Sequence, residues 1–328
     1  MIIARTPFRI SFAGGGTDLK KFYSQEDGQV LSTTIDKYLF VAVKRQTCIA
    51  ESKFRINWSK VEFKDRIDDI EHPIVREALR LMGIDFPLEI STFADIPSQT
   101  GLGSSSAFAV GLLHALFAIK GEVVTKANLA DMAARIEVEI LGRHIGKQDH
   151  YASAFGSLNV FTFHKDESVS VDPVLWCKET KRTVGKNIMM FYTAMKRDAN
   201  EILKNQKAKM GDKHHVLIGI KSLVEPLRDI FLTGTNFHEI GKLLHDGWGL
   251  KKSITEQISS PQIDEYYERA INSGALGGKL LGAGGGGFLL LYVEPAKQIA
   301  VADSLSELYQ LPFGFDNAGS QITYKDSL

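Results

Sequence analysis

The chain has 328 residues, with 39 Lys+Arg balanced by 39 Asp+Glu, and it is 44% hydrophobic and 24% charged. This is ordinary globular composition. The zero formal charge excludes the electrostatic footprint of a general nucleic-acid binder and argues against an acidic or basic tail protein. At roughly 100–200 residues per domain, two domains are expected, each long enough to bury a core.

Taken in chain order, residues 7–12 are strand-like, residues 30–43 are β-rich, and residues 54–63 read as one further strand carrying Trp58. A short helix is expected over 73–82 and a strand over 88–93, running towards Pro97. Residues 104–120 read as a helix whose serine cluster can cap its start and whose end is marked by Gly121. It is apolar nearly all round, the pattern of a buried helix. A second helix is expected over 129–144, with Thr125 or Asn128 as its N-cap. Beyond the polar stretch 178–186, an apolar strand (188–194) opens the second half. Helical patterns follow at 198–209, 215–231, 236–252 and 261–273. Strands over 276–281 and 288–293 flank a glycine-rich turn, and a helix near 296–309 and a strand near 320–324 end the chain. Strands and helices mix without steady βα alternation, so an α+β protein is expected rather than a doubly wound sheet, divided near 178–187.

Cys48 and Cys177 lie far apart and lack a CxxC partner, so neither a disulfide framework nor a zinc site can be built from them. Residues 1–8 show no signal-peptide pattern. The longest apolar run, 108–119, is interrupted by His114 and falls short of the roughly 18–20 residues a membrane span needs. A cytoplasmic protein without membrane or nucleic-acid partners is the expectation.

Three segments concentrate glycine. Residues 7–18, Pro-Phe-Arg-Ile-Ser-Phe-Ala-Gly-Gly-Gly-Thr-Asp, run a strand into a triple glycine that lets backbone crowd a ligand or simply forms an Asp turn. Residues 97–107, Pro-Ser-Gln-Thr-Gly-Leu-Gly-Ser-Ser-Ser-Ala, carry a glycine turn directly into the apolar helix. Exposed amides and the positive helix end make this an anion site, to which three hydroxyls add phosphate or metal contacts. Plain N-capping needs one serine, not three. The segment is neither a Walker A loop, lacking Gly-Lys-Ser/Thr, nor a dinucleotide fingerprint, lacking the third glycine. Residues 282–287, Gly-Ala-Gly-Gly-Gly-Gly, exceed what a hairpin needs, so something large must approach this backbone. Two carboxylates accompany these segments. Glu137 sits on the apolar stripe of Ala133, Ile136, Ile140 and Leu141, where it is either a metal ligand or a buried ion pair. Asp149 follows in Gly-Lys-Gln-Asp-His, which by itself also suits a solvated loop.

With the three segments in this order, the chain resembles the GHMP kinases over nearly its whole length. The resemblance implies two α+β domains, an N-terminal ATP-binding domain over 1–183 and a ferredoxin-like domain over 184–328, with the active site between them. Gly15-Gly16 stand where galactokinases carry Glu-His, so the sugar pocket should differ from theirs. Residues 5–18, residues 146–156 and the stretch Trp-Gly-Leu-Lys-Lys ending at Lys252 look like the branch acting on D-glycero-D-manno-heptose 7-phosphate. That branch phosphorylates the anomeric hydroxyl of a sugar already phosphorylated at C7. A fucokinase-like sugar 1-kinase is the alternative, and a non-catalytic sugar or nucleotide sensor on the same fold is the alternative from another class.

The resemblance also implies ATP and Mg²⁺ as cofactors, a sugar as substrate, and a monomer or homodimer. It assigns Gly101, Leu102, Gly103, Ser104, Ser105 and Ser106 to ATP, Ser105 and Glu137 to Mg²⁺, and Asp149 with Arg9 to catalysis. Gly16, Thr17, Asp18, Gly284, Gly285 and Gly286 are expected at the sugar. Trp58 is a candidate for the adenine pocket, though a half-buried strand tryptophan suits it as well. A phosphorylated acceptor demands further cations, for which Lys196, Arg197, Lys251 and Lys252 are candidates.

Overall fold

In the computed structural model, residues 1–47, 51–195 and 213–326 are described. The expected helix over 198–209 and the residues Cys48, Lys196 and Arg197 lie outside them. Among the described residues, no helix is long and apolar enough to cross a membrane.

The elements assemble on two sheets. In the first half lie β1 (Ile2–Ala13), α1 (Lys20–Tyr23), β2 (Gly28–Arg45), β3 (Phe54–Asn57), β4 (Val61–Lys64), α2 (Pro73–Leu81), β5 (Leu88–Ala94) and α3 (Ser104–Lys120). Next come α4 (Lys126–Ala134), α5 (Gln148–Phe155), β6 (Leu158–Phe163), β7 (Val169–Pro173) and α6 (Lys178–Asn187). The second half holds β8 (Ile188–Tyr192), α7 (His214–Ser222), α8 (Val224–Thr233), α9 (His238–Lys252), α10 (Pro261–Asn272), β9 (Gly277–Leu280) and β10 (Phe288–Tyr292). It ends with α11 (Gln298–Ser304), β11 (Tyr309–Gln310), β12 (Phe315–Asp316) and β13 (Gln321–Lys325).

The long strand β2 organises the first sheet. It pairs with β1 along most of its length, with β6 through Gly28–Thr33 and with β5 through Leu39–Arg45. The path β13-β1-β2-β5-β3-β4 is antiparallel except for the β3–β5 pair. The second sheet has the order β11-β8-β10-β9, which is 4-1-3-2 in its own chain order. This is the ferredoxin-like arrangement expected from the resemblance. The expected division after residue 183 falls inside α6. The chain then returns: β12 pairs with β2 and β13 with β1, so these two strands are hydrogen-bonded into the first sheet and not the second.

Local chemistry accounts for most element ends. Thr125 is the N-cap of α4 and accepts from the Asn128 amide at 3.2 Å. Two expectations are corrected. Residues 54–63 are not one strand but a hairpin, with Trp58 in the turn between β3 and β4. The helix expected over 129–144 breaks at Ala134 into a π turn, Arg135–Ile140. That extra residue per turn shifts the stripe, so Glu137 points fully inward while Ile140 turns outward, 43% exposed. Helix α3 is buried on nearly every side, with Val110, Leu112, Leu113 and Leu116 inaccessible in the core beside β1 and β2. A second core, around Phe191, Leu217, Trp248 and Leu289, backs the second sheet.

Candidate active site

Both sheets and α3 face a cavity of about 880 Å³. Its floor is the start of α3. Gly103 stands at the N-cap position with φ +79°, and no side chain caps the helix. The serines therefore do not serve the capping role that a single serine would, and the first-turn amides of a 17-residue helix face the cavity unmatched. Ser104, Ser105 and Ser106 all line it.

Beside this turn stands an arginine–carboxylate pair. Arg9, projecting from β1, donates from Nε to Asp149 Oδ1 at 2.7 Å and from Nη2 to Oδ2 at 2.9 Å. Its Nη1 donates to the Gly101 carbonyl at 2.7 Å. Such a bidentate fork fixes both the orientation and the charge of the carboxylate. Asp149 is therefore not a solvated loop residue: it occupies the first turn of α5. A Cβ built on Gly103 would lie 3.1 Å from its Oδ2, so carboxylate and helix start are in contact.

Glu137 is inaccessible and saturated. Its Oε1 accepts from Ser105 Oγ at 2.5 Å and from Arg143 Nη1, and its Oε2 accepts from His150 Nε2 at 2.9 Å. Burial alone would raise its pKa, but the His150, Arg143 and Ser105 contacts outweigh that and hold it well below the usual carboxylate range. Among the described residues no group of three or more His, Cys, Asp and Glu is placed to hold a metal. The Ser105–Glu137 pair nevertheless suits Mg²⁺, which takes one or two hard protein oxygens and completes its shell with substrate phosphates and water.

Asp18 lines the cavity and is nearly inaccessible. Gly16 N and Gln148 Nε2 donate to its Oδ1, at 3.0 and 2.9 Å, and Gln148 N donates to Oδ2 at 3.2 Å. Burial, reinforced by nearby Asp149, raises its pKa. Gly284 and Gly286 also line the cavity.

Three expected site residues do not. Thr17 is inaccessible because its hydroxyl donates to the carbonyls of Gly14 and Gln29, at 2.7 and 2.9 Å, tying the glycine turn to β2. Leu102 turns its side chain into the core and gives its carbonyl to Arg9 N at 3.2 Å. Gly285 faces the opposite way, its amide donating to the Ile258 carbonyl at 2.9 Å. The crowding predicted for residues 282–287 is real, but its source is the protein itself. A Cβ on Gly101 would sit 2.5 Å from the Leu281 carbonyl, so the two glycine turns pack backbone against backbone.

Of the candidate cations, Lys251 lines the cavity, whereas Lys252 turns away to Asp264 at 2.9 Å. Sequence reasoning missed Lys279 on β9, which lines the cavity at 9% exposure. It also missed Arg143 and His150 as partners of Glu137. A lysine inside an otherwise apolar, glycine-flanked strand is the signal that could have found Lys279. Burial, then the Arg9 charge, lowers the Lys251 pKa to about 8; burial, then the Lys251 and Arg9 charges, also hold that of Lys279 well below its ordinary value. Where Trp58, His72 and Phe108 line the cavity the wall is aromatic. Trp58 is 38% exposed and meets His72 edge-on at 4.8 Å, and His72 packs 4.8 Å from Phe108. Burial lowers the His72 pKa to about 4, so this wall is uncharged at neutral pH.

Residues 73–157 match the GHMP kinases N terminal domain, and residues 224–311 match the GHMP kinases C terminal domain. A protein of Campylobacter jejuni named D-glycero-alpha-D-manno-heptose 7-phosphate kinase is 30% identical over 331 residues, covering 97% of each chain. The chain belongs to the GHMP kinases. This GHMP kinase is a small-molecule kinase, and its relatives include the galactokinase of Pyrococcus furiosus, 21% identical over 96% of this chain and 95% of that one. A crystal structure described as a D-glycero-D-manno-heptose 1-phosphate kinase from Bacteriodes thetaiotaomicron covers 100% of both chains at 23% identity, with a TM-score of 0.81. The two-sheet GHMP kinase fold is thus shared from end to end.

Proposed function

We propose that this enzyme transfers the γ-phosphoryl group of ATP to the anomeric hydroxyl of D-glycero-D-manno-heptose 7-phosphate, releasing ADP and the 1,7-bisphosphate. The observation that carries this reading is the placement of the Arg9–Asp149 pair between a serine-rich, uncapped helix start and a wall of lysines. The backbone of Gly101 and Gly103 and the hydroxyls of Ser104, Ser105 and Ser106 receive the ATP phosphates. Ser105 and Glu137 would hold Mg²⁺, which supplies charge neutralisation between the phosphates when bound. Asp149 orients the acceptor hydroxyl and takes its proton as the new O–P bond forms and ADP leaves. Arg9 keeps that carboxylate in place and faces the transferring charge. Asp18, with Gly16, Gly284 and Gly286, borders the sugar, and Trp58, His72 and Phe108 flank the adenine.

The names of the Campylobacter and Bacteriodes relatives support a heptose phosphate, although they differ in where the phosphate sits. An unphosphorylated acceptor, as in a fucokinase-like enzyme, leaves the lysine wall without a counter-charge. ADP release against heptose 7-phosphate, fucose, galactose, mevalonate and homoserine tests the reading. Heptose 7-phosphate should exceed the others by at least about 100-fold in kcat/KM, because a site built around a charged group rejects acceptors lacking it. Phosphorus NMR should place the new phosphate on C1. Preference for fucose or galactose, or a product substituted elsewhere, overturns it, and no ADP release with any of them favours the sensor.

A further inference from the structure

Arg143 engages the two oxygens that suit Mg²⁺. Its Nη1 donates to Ser105 Oγ at 2.6 Å and to Glu137 Oε1, while Ser105 Oγ donates to the same Oε1 at 2.5 Å. One guanidinium nitrogen thus bridges hydroxyl and carboxylate. Both lone-pair sites of Oε1 are taken, one by Ser105 and one by Arg143. A metal ion can bind that oxygen only when a donor leaves it, and a divalent charge beside a guanidinium adds repulsion.

The three donors to Glu137 differ in what holds them. His150, on Oε2, is inaccessible within α5. Ser105 is fixed in the first turn of α3. Arg143 belongs to the loop 141–147 between the π turn and α5, lines the cavity, and keeps its side chain 26% exposed. Its own amide donates to the Glu137 carbonyl at 3.0 Å, so the backbone is anchored while the side chain is free to change partner. Its charge acts both on Glu137 and on His72 of the aromatic wall. Arg143 therefore stands between the groups proposed for the phosphates and those proposed for adenine. A phosphate accepts the paired N–H groups of a guanidinium as readily as a carboxylate does. We infer that Arg143 is an exchangeable counter-ion, which neutralises Glu137, yields Ser105 and Glu137 to Mg²⁺, and moves onto the nucleotide phosphates. This rests on the proposed Mg²⁺ and ATP sites and deepens them by naming a phosphate-binding residue and the ion it exchanges with.

The test uses the full-length enzyme with Arg143→Ala and Glu137→Ala, and Mn²⁺ as a paramagnetic probe of the oxygen site. Free Mn²⁺, counted by electron paramagnetic resonance, gives the metal Kd without nucleotide. Calorimetry gives the ADP Kd in EDTA and at Mn²⁺ saturating the nucleotide-free enzyme. Arg143→Ala should bind Mn²⁺ about 10-fold more tightly, because the metal no longer displaces a charged hydrogen bond. Its ADP affinity in EDTA should stay within about threefold of the parent, since Arg143 is then engaged with Glu137. At saturating metal it should bind ADP about 10- to 100-fold more weakly. A merely structural arginine gives no such opposition: its loss weakens both ligands or neither. Unchanged or weaker Mn²⁺ binding in Arg143→Ala overturns the exchange, and so does parental ADP affinity at saturating metal. Melting curves check the fold, and Arg143→Gln, neutral and still a donor, replaces the alanine variant if that does not fold. Glu137→Ala separates this inference from the reading beneath it. If Mn²⁺ affinity does not fall in that variant, the metal assignment fails and the exchange fails with it. If it falls there but does not rise in Arg143→Ala, the metal assignment stands and the exchange alone is refuted.

Discussion

Two clusters of charge in the cavity, one around Glu137 and one at Lys251 and Lys279, are built on opposite plans. Around Glu137 every charge is answered within the protein: Ser105, Arg143 and His150 together supply donors to both carboxylate oxygens, and the carboxylate is inaccessible. Around Lys251 and Lys279 the described residues offer carbonyl dipoles and neighbouring like charges. The first plan preorganises a carboxylate beside the helix start before anything binds. The second leaves two buried ammonium groups without a counter-ion among the described residues. Arg9 and Asp149 lie between them and are matched to each other, which holds a candidate base in place at the junction.

The sharpest way to break this picture is at the junction. Asp149→Asn should lower kcat by about 10³-fold while ATP affinity, read by calorimetry, barely moves, because the amide keeps the shape and cannot take the proton. An unchanged kcat would remove the proton-acceptor role. The next effect is on stability and differs in sign between the two ends. His150→Ala leaves Glu137 buried and short of a partner and should destabilise the fold by about 3 kcal/mol in urea unfolding. Lys279→Met removes a buried charge without orphaning an acid, so its unfolding midpoint should equal or exceed that of the parent. Equal losses in the two variants would erase the contrast. Third, Glu137→Ala should raise the Mg²⁺ concentration giving half-maximal rate by about tenfold or more, the scale seen when groups that fix a metal are lost. An identical metal titration would confine Glu137 to the ion-pair cluster.

The gentlest effect is in pH. The Lys251 pKa falls from 10.5 to about 8 on folding. Between these values the unfolded chain binds the proton more tightly than the native one, so stability of the unliganded enzyme should rise with pH across that window. Below about pH 8 both states are protonated and this contribution is flat. Lys251→Met should reduce the rise, leaving the part contributed by Lys279, whose pKa is lowered in the same direction, as measured by urea unfolding at pH 7, 9 and 10. A slope equal to that of the parent would assign it elsewhere.

Much of the frame was readable from local pattern. An apolar run with no polar face announced the buried helix α3, and a glycine turn leading into three serines marked its start as the place for an anion. Spacing along one helix put Glu137 on the inward face, although the π turn that carries it inward was not foreseen. These features depend on neighbours within a turn or two, where side-chain order sets geometry directly. The rest needed the chain to close on itself. That Thr17 turns to β2, that the two glycine turns crowd each other, and that Arg143 and His150 saturate Glu137 are contacts between distant segments. Lys279 shows the limit most clearly: in sequence it is one lysine in a short strand, and its unbalanced charge exists only once β9, α9 and β1 enclose it together with Lys251 and Arg9. Sequence determines which charges the chain carries and where it turns. Tertiary structure decides which of those charges lose both water and counter-ion, because desolvation and pairing are properties of the enclosed volume and not of the residue.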